Sequence, residues 1–161
     1  MQRHTRWITN ALRDRQAKFE IRKQWGIPES AFCVLFCGKF IPKKRPLDLV
    51  EAAKLLLRDA AGFLNQTEIS RAYVAADCLV LPSDYRETWG LVVNEAMASG
   101  LPCIISDQCG CAEDLGSLGM NEVFSCGNIS ELRTRFLASQ WKGISDYVRL
   151  SFLRSRQLSQ R

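Results

Sequence analysis

Hydrophobic positions along the chain follow two patterns, and the alternation between them divides the sequence into strands and helices. Short, nearly continuous apolar runs are typical of strands that are buried on both faces of a parallel sheet. Four such runs predict strands at 32–37, 78–82, 103–105 and 121–126. Segments with helical spacing separate them, so the pattern predicts an α/β fold: a mostly parallel, Rossmann-like sheet with flanking helices.

Apolar residues at intervals of three and four, ended by glycine and proline stop signals, predict the helices. Their ranges are 10–25, 47–58, 66–76, 90–99 and 129–140, followed by a basic helix over about 144–158. The order of strand, loop and helix then repeats along the chain. This order is what right-handed crossovers between parallel strands require.

The composition is that of a globular domain, with 161 residues of which 47% are hydrophobic and 24% charged. The net charge of +5 is distributed unevenly: 1–30 carry +4, 31–130 carry −4 and 131–161 carry +5. Basic ends could attract nucleic acid. Aromatic residues are not interleaved with these charges as a single-strand platform needs, so we favour solvated helix faces and expect no nucleic-acid partner.

Seven cysteines stand at 33, 37, 78, 103, 109, 111 and 126, and none forms a CxxC pair, so we expect no metal. Most lie in apolar runs, where a reduced cysteine behaves as a small hydrophobe. Cys109 and Cys111 remain open as a metal or redox pair. An odd count without a secretory signal indicates a cytoplasmic protein, or one peripheral to the cytoplasmic face of a membrane, with no transmembrane segment.

Polar loops follow three of the predicted strands. They are "GKFIPKK" after 32–37, "SDYRETWG" after 78–82 and "SDQCGCAED" after 103–105. Ligands of open α/β sheets bind outside the carboxyl ends of the strands. We therefore expect the three loops to face one crevice.

Two glutamates flank the start of the helix that follows the second loop. The free N–H groups and the dipole of a helix start favour a phosphate, and Gly90 lets a ligand approach the backbone closely. Glu87 lies before the helix and Glu95 lies further along it, so each can accept hydrogen bonds from sugar hydroxyls. Lys39 and Lys44 would bring positive charge to a diphosphate. This layout suits a nucleotide diphosphate sugar.

Each of these residues also has a purely structural interpretation. Glu87 can satisfy the helix dipole, Glu95 can be an exposed helix residue, and the lysines can be solvated. Taken singly, no residue decides between the interpretations. Their placement on adjacent strand ends favours a binding site.

Three stretches of the sequence carry motifs in a fixed order. They are "LFCGKFIPKKRPLDLVEAA", "GFLNQTEISRAYVAADCLVLPS" and "ETWGLVVNEAMASGLPCIISD", the last with an E-x7-E spacing. Together they cover roughly residues 20–115. They resemble the C-terminal, donor-binding domain of the retaining glycosyltransferases of family 4, which have the GT-B fold.

The resemblance implies a role for each matching residue. Lys39 and Lys44 match the basic pair that grips the donor's diphosphate and stabilises charge on the leaving group. Glu87 matches the glutamate that contacts the donor sugar, and Glu95 the one that holds the ribose hydroxyls. These three, Lys39, Lys44 and Glu87, are the implied catalytic residues. The implied donor-binding set is Gly38, Lys39, Lys44, Glu87, Thr88, Trp89, Gly90, Leu91 and Glu95.

The resemblance also implies an activity, the retaining transfer of a hexose from a nucleotide sugar, with no metal or other cofactor. It implies three segments: a basic connecting helix and linker at 1–30, a nucleotide-sugar-binding domain at 31–140 and a C-terminal basic helix at 141–161. The chain begins at what resembles the connection between two domains. We therefore expect a truncated form that lacks the acceptor domain and is inactive alone, with an unknown acceptor.

A second departure from the family lies inside the chain. "RDAA" stands where relatives have a strand, a glycine loop that abuts the nucleotide, a helix and another strand. We expect an internal deletion that leaves the sheet without strands beside 32–37, with unpaired edges that could support an oligomer. The alternative function is a non-catalytic pseudoenzyme or a protein-interaction module.

Overall fold

The structure is a computed structural model that describes residues 17–54, 59–64, 69–85, 87–119, 121–137 and 148–153. In 59–64 and 148–153 it describes the backbone alone. No helix in these ranges is long and apolar enough to pass through a bilayer.

The described part of the chain contains six α-helices and six strands. The helices are α1 (Lys18–Gln24), α2 (Pro46–Lys54), α3 (Ile69–Ala75), α4 (Leu91–Ala98), α5 (Ala112–Leu115) and α6 (Ile129–Leu137). The strands are β1 (Phe32–Cys37), β2 (Asp59–Leu64), β3 (Cys78–Leu81), β4 (Cys103–Ser106), β5 (Glu122–Phe124) and β6 (Val148–Leu153). A 3₁₀ turn, Pro42–Lys44, precedes α2.

These strands form one sheet in the order β2-β6-β1-β3-β4-β5, and each neighbouring pair is parallel. Residues of β1 alternate between the two faces because side chains in a strand have a period of two. Cys33 and Leu35 pack on one face with α3 and α4. Val34 and Phe36 pack on the other face with α2 and α6. The predicted α/β class with a parallel, Rossmann-like sheet is confirmed.

The runs predicted as strands are confirmed as β1, β3, β4 and β5, with ends that shift by at most two residues. In β1, β3 and β4 every residue is buried, including the polar Ser106 at the end of β4, which explains why these runs are almost entirely apolar. The predicted helices at 47–58, 66–76, 90–99 and 129–140 correspond to α2, α3, α4 and α6, and α1 lies within the one predicted at 10–25. Residues 10–16, 55–58 and 138–140 lie outside the described ranges.

The prediction of a C-terminal basic helix is wrong for residues 148–153, which form strand β6. Val148, Leu150 and Phe152 alternate with polar residues, and this period of two suits a strand better than a helix. The rest of 141–161 lies outside the described residues. The expectation of bare edges beside 32–37 is also wrong, because β6 pairs with β1 along its whole length and with β2 on its other side.

A buried arginine joins α1 to the amino ends of β1 and β3. Arg22 is 7% exposed, and its guanidinium pairs with the Asp77 carboxylate at 2.6 Å. The same carboxylate accepts a hydrogen bond from the Cys33 N–H at 2.7 Å and pairs with Lys18 at 2.7 Å. The solvated helix face expected from the basic charge of 1–30 is therefore corrected for Lys18 and Arg22, which hold the helix against the sheet.

Candidate functional site

Three loops leave the carboxyl ends of neighbouring strands. The first loop (38–45) follows β1, the second (82–90, described except for residue 86) follows β3, and the third (107–111) follows β4. Because the strands are parallel and adjacent, the loops emerge at one edge of the sheet.

The second loop is joined to both of its neighbours by backbone hydrogen bonds. The Asp84 N–H donates to the Lys43 carbonyl of the first loop at 2.8 Å. On the other side, the Gly110 N–H of the third loop donates to the Glu87 carbonyl at 3.0 Å. A Cβ atom at position 110 would overlap the Thr88 carbonyl, so this approach requires glycine. The three loops thus meet, as the sequence predicted.

Lys44 and Glu87 form an ion pair between the first and second loops. Their side chains are 18% and 13% exposed, so the alternative interpretation of Lys44 as a solvated lysine does not hold. Burial lowers the pKa of Lys44, and the charge of Lys43 lowers it further. The thiols of Cys109 and Cys37 act in the opposite direction and raise the pKa of Lys44.

Glu95 lies on α4 and is half-buried rather than freely exposed. Its Oε2 accepts a hydrogen bond of 2.8 Å from the hydroxyl of Tyr73, a residue of α3 that is 3% exposed. The same hydroxyl lies 3.8 Å from Sγ of Cys37, the last residue of β1. The carboxylate is therefore held close to the point where the first loop begins.

Cys37 lies close enough to both Glu95 and Lys44 for their charges to affect the pKa of its thiol. Burial raises the pKa of the Cys37 thiol to about 11; the Tyr73 hydroxyl lowers it, Glu95 raises it and Lys44 lowers it. Since Lys44 also pairs with Glu87, both glutamates lie at the same end of the sheet around the end of β1.

Gly38 and Lys39 open the first loop. A Cβ atom at position 38 would lie 3.3 Å from the Phe36 ring, a tight contact, and 3.9 Å from Cδ of Lys44, an ordinary one. Lys39 is exposed, and its charge contributes to the lowered pKa of Lys44. Lys39 is therefore near enough to Lys44 for the two charges to repel, whereas the ion pair with Glu87 is formed by Lys44.

Gly90 is the N-cap of α4 and has a left-handed backbone with φ of 95°. A Cβ atom here would lie 2.7 Å from Cδ2 of Leu81 and 3.3 Å from Sγ of Cys111. Gly90 is buried, so its first role is to fit the helix start over these two side chains. Among the described residues no side chain caps α4, and the Val93 N–H donates to the Gly90 carbonyl at 2.9 Å. The N–H groups that precede Val93 are therefore available to an anion.

Thr88, Trp89 and Leu91 occupy exposed positions around this helix start. The Trp89 indole N–H donates to the Asn94 side chain at 2.7 Å, and the Trp89 carbonyl accepts from the Cys111 N–H at 3.1 Å. The loop conformation before α4 is therefore fixed by the third loop and by α4 itself.

Cys109 and Cys111, which the sequence left open as a metal or redox pair, lie in buried surroundings. Sγ of Cys109 contacts the carbonyls of Ser83 at 3.6 Å and Leu81 at 3.8 Å. Sγ of Cys111 lies under Gly90. Burial raises the pKa of Cys109 to about 12 and also raises that of Cys111, which favours protonated thiols in structural positions.

Tyr73 is the site residue that the sequence did not indicate. In the sequence it is one aromatic residue within an apolar helix, which is the pattern of a core position. The sequence gives only a weak indication of its role, because a buried tyrosine needs a partner for its hydroxyl. That partner, Glu95, is 22 residues away in the chain.

Part of this chain is similar in sequence to known glycosyltransferases. Residues 59–136 match the family model described as glycosyl transferases group 1. N-acetyl-alpha-D-glucosaminyl L-malate synthase of Bacillus anthracis is 31% identical over 114 residues, an alignment that covers 53% of this chain and 30% of that protein. The sulfoquinovosyl transferase SQD2 of Arabidopsis thaliana is 54% identical over 43 residues, or 27% of this chain and 8% of that protein.

Solved glycosyltransferase structures share the fold. A glycosyltransferase of Rickettsia africae superposes with a TM-score of 0.64 at 15% identity, covering 81% of this chain and 45% of that one. HepE of Anabaena, solved in complex with UDP-glucose, gives 0.63 at 16% identity, covering 80% and 45%. The chain thus spans less than half the length of these proteins. Residues 59–136, just under half of the chain, are similar to the glycosyl transferases group 1, and the fold corresponds to one half of these glycosyltransferase structures.

Proposed function

We propose that this chain is the donor-binding half of a retaining, nucleotide-sugar-dependent hexosyltransferase. The observation that carries the proposal is the Lys44–Glu87 ion pair beside the uncapped start of α4, with Glu95 held at the same end of the sheet. Two carboxylates and a cation around a free helix start are what a ligand with a charged centre and hydroxyls on both sides needs.

In this proposal the charged linkage of the donor lies against the first N–H groups of α4. Lys44 and Lys39 neutralise the diphosphate, and Glu87 binds hydroxyls of the sugar. When a donor binds, its diphosphate competes with Glu87 for the Lys44 ammonium, which releases the carboxylate toward the sugar. During transfer the same ammonium stabilises charge on the departing phosphate. The lysines supply this charge without a metal ion or other cofactor.

Glu95 holds the ribose hydroxyls in the same arrangement, on the opposite flank of the diphosphate. UDP-glucose is the first donor to test, because it is bound in the structure of HepE, which shares the fold. Several relatives are named as enzymes that transfer a sugar, among them the D-inositol 3-phosphate glycosyltransferase of Arthrobacter. The acceptor is bound elsewhere, so the chain binds donor but does not turn it over alone.

Isothermal titration calorimetry with UDP-glucose and GDP-mannose tests the proposal. We expect the wild-type chain to bind one of the two and Glu95→Ala to weaken that binding by about tenfold or more, the worth of a charged hydrogen bond. Glu51→Ala is the matched control, since Glu51 is an exposed glutamate of α2 paired with Lys54. Flat titrations of the wild-type chain with both donors would refute donor binding.

The second candidate is a non-catalytic interaction module. Large apolar side chains are exposed on the same loops, with Phe40 at 41%, Tyr85 at 74% and Leu91 at 58%. Such a patch is typical of a surface that contacts another protein or domain. A chain that folds cooperatively, binds neither nucleotide sugar and associates through this patch would favour the module over the enzyme.

A further inference from the structure

The Tyr73–Glu95 hydrogen bond links the buried core to the candidate site. The ring of Tyr73 is part of the core formed by α3, α4 and β1. Its hydroxyl donates to Oε2 of Glu95 at 2.8 Å and has Sγ of Cys37 at 3.8 Å. A thiol is a weak acceptor, so the carboxylate is the main partner of this hydroxyl.

A hydrogen bond to a carboxylate is roughly twice as strong as one between neutral groups. A free glutamate side chain samples several rotamers, and fixing it in one of them costs conformational entropy. The Tyr73 hydroxyl fixes Glu95 before any ligand arrives, because the ring itself cannot move within a packed core. Oε2 is thereby engaged, and none of the described residues bonds to Oε1, which can receive a ligand.

The surroundings of the Tyr73 hydroxyl favour its protonated form, which can donate a hydrogen bond. Burial raises the pKa of Tyr73, and the nearby Cys37 and Glu95 raise it further. The hydroxyl therefore stays protonated and continues to donate to the carboxylate. Ser99 also bonds to Glu95, but its hydroxyl donates to the backbone carbonyl at 2.9 Å and leaves the carboxylate untouched.

We infer that Tyr73 is a positioning residue, which orients the Glu95 carboxylate so that its second oxygen receives a ribose hydroxyl of the nucleotide. This inference rests on the proposed donor-binding function. Tyr73 does not touch the ligand itself. It reduces the cost of ordering Glu95 at the moment of binding.

The experiment compares two ligands and two variants by calorimetry. The ligands are UDP and 2′,3′-dideoxyuridine diphosphate, with GDP and its dideoxy analogue tested in parallel. Tyr73→Phe removes the hydroxyl and keeps the ring, whereas Ser99→Ala removes a hydroxyl that bonds only to the Glu95 backbone. We expect Tyr73→Phe to weaken binding of the ribonucleotide by about five- to tenfold and to leave the dideoxy analogue unchanged. Ser99→Ala is expected to change neither.

Three outcomes overturn the inference. If Tyr73→Phe weakens the binding of both ligands equally, Tyr73 contributes only to general packing. If it weakens the binding of neither ligand, Tyr73 does not position Glu95. A wild-type chain that binds neither UDP nor GDP overturns the proposed function, and the inference with it. A wild-type chain that binds while Tyr73→Phe is neutral overturns the inference alone.

Labelling of tyrosine at the phenol carbon supplies a second measurement in case Tyr73→Phe does not fold. The ¹³C signal of this carbon in the wild-type chain reports the hydrogen bond of the hydroxyl. We expect the Tyr73 signal to shift on addition of UDP and to stay in place on addition of the dideoxy analogue. An unchanged signal at saturating UDP, or the same shift with both ligands, contradicts a role through Glu95.

Discussion

The ammonium of Lys44 pairs with the carboxylate of Glu87, so side chains as well as backbone join the first loop to the second. The two residues are 43 positions apart in sequence and belong to loops that leave adjacent strands β1 and β3. Parallel pairing of these strands is what brings a cation and an anion to one place. We expect the pair to affect both the stability of the fold and the binding of a nucleotide, and substitutions can separate the two effects.

Lys44→Ala leaves the largely buried Glu87 carboxylate without its cation. We expect a loss of about 1–3 kcal/mol in the free energy of unfolding, measured by urea denaturation. We also expect binding of UDP to weaken by about ten- to a hundredfold, because a diphosphate loses a charged partner. Adding Glu87→Gln in the same chain should restore stability but not UDP binding. If the double variant recovered binding as well, Lys44 would have no role at the diphosphate.

The strands, and the polar loops at their carboxyl ends, could largely be predicted from the local sequence. Runs such as 32–37 are apolar because the strand is buried on both faces, and the loops after them carry the polar residues. Glu87, Glu95, Lys39 and Lys44 could be grouped because parallel strands place their loops together. The Tyr73–Glu95 contact could not be predicted, since it depends on how α3 and α4 pack against β1 rather than on either helix alone.

Strand β6 is a second feature that could not be predicted from the local sequence. Its position is fixed by pairing with β1, whose Phe32 is 116 residues before Val148, and with β2, whose Asp59 is 90 residues before Arg149. The basic residues around β6 favoured a helix. Strand β2 (Asp59–Leu64) includes most of "RDAA", where no strand was predicted. The internal deletion expected there stays a prediction.

Leu150→Pro tests whether β6 is part of the folded unit. Leu150 stands opposite Val34 of β1 and Ala60 of β2, so proline there removes an N–H from the centre of a parallel ladder. We expect loss of cooperative unfolding, or a fall in stability of about 3 kcal/mol or more, by circular dichroism in urea. Leu150→Val is the control, because it keeps the N–H and suits a strand. Equal stability of the proline variant and the wild type would place β6 outside the cooperative fold.

Asp77→Asn tests the anchoring of α1. The guanidinium of Arg22 would keep its bonds to the carbonyls of Ala75 and Ala31, but it would lose the carboxylate that balances its buried charge. We expect a loss of about 3–5 kcal/mol in the free energy of unfolding, the usual cost of breaking a buried pair from one side. The exposed Glu51–Lys54 pair offers the contrast, and Glu51→Ala should change stability by less than about 0.5 kcal/mol. Similar effects of the two substitutions would contradict a buried anchor.

Buried thiols predict how stability depends on alkaline pH. Burial raises the pKa of Cys37 to about 11, and of Cys103 and Cys109 to about 12, above the ordinary thiol value of 9.0. Below pH 9 these thiols are protonated in both states, so their contribution to stability is complete. As pH rises above 9 the unfolded chain loses protons that the folded chain keeps, and the free energy of unfolding must fall.

Cys103→Ala isolates one of these thiols. Each thiol accounts for a slope of at most about 1.4 kcal/mol per pH unit, so the variant should lose stability less steeply than the wild type between pH 9 and 11. Ile104→Val, at the next buried position of β4, is the control for lost packing; it should lower stability at all pH values and leave the slope unchanged. Urea midpoints measured at half-unit steps give both slopes. Identical slopes for Cys103→Ala and the wild type would mean that this thiol ionises as readily in the folded chain as in the unfolded one, which its full burial on β4 does not allow.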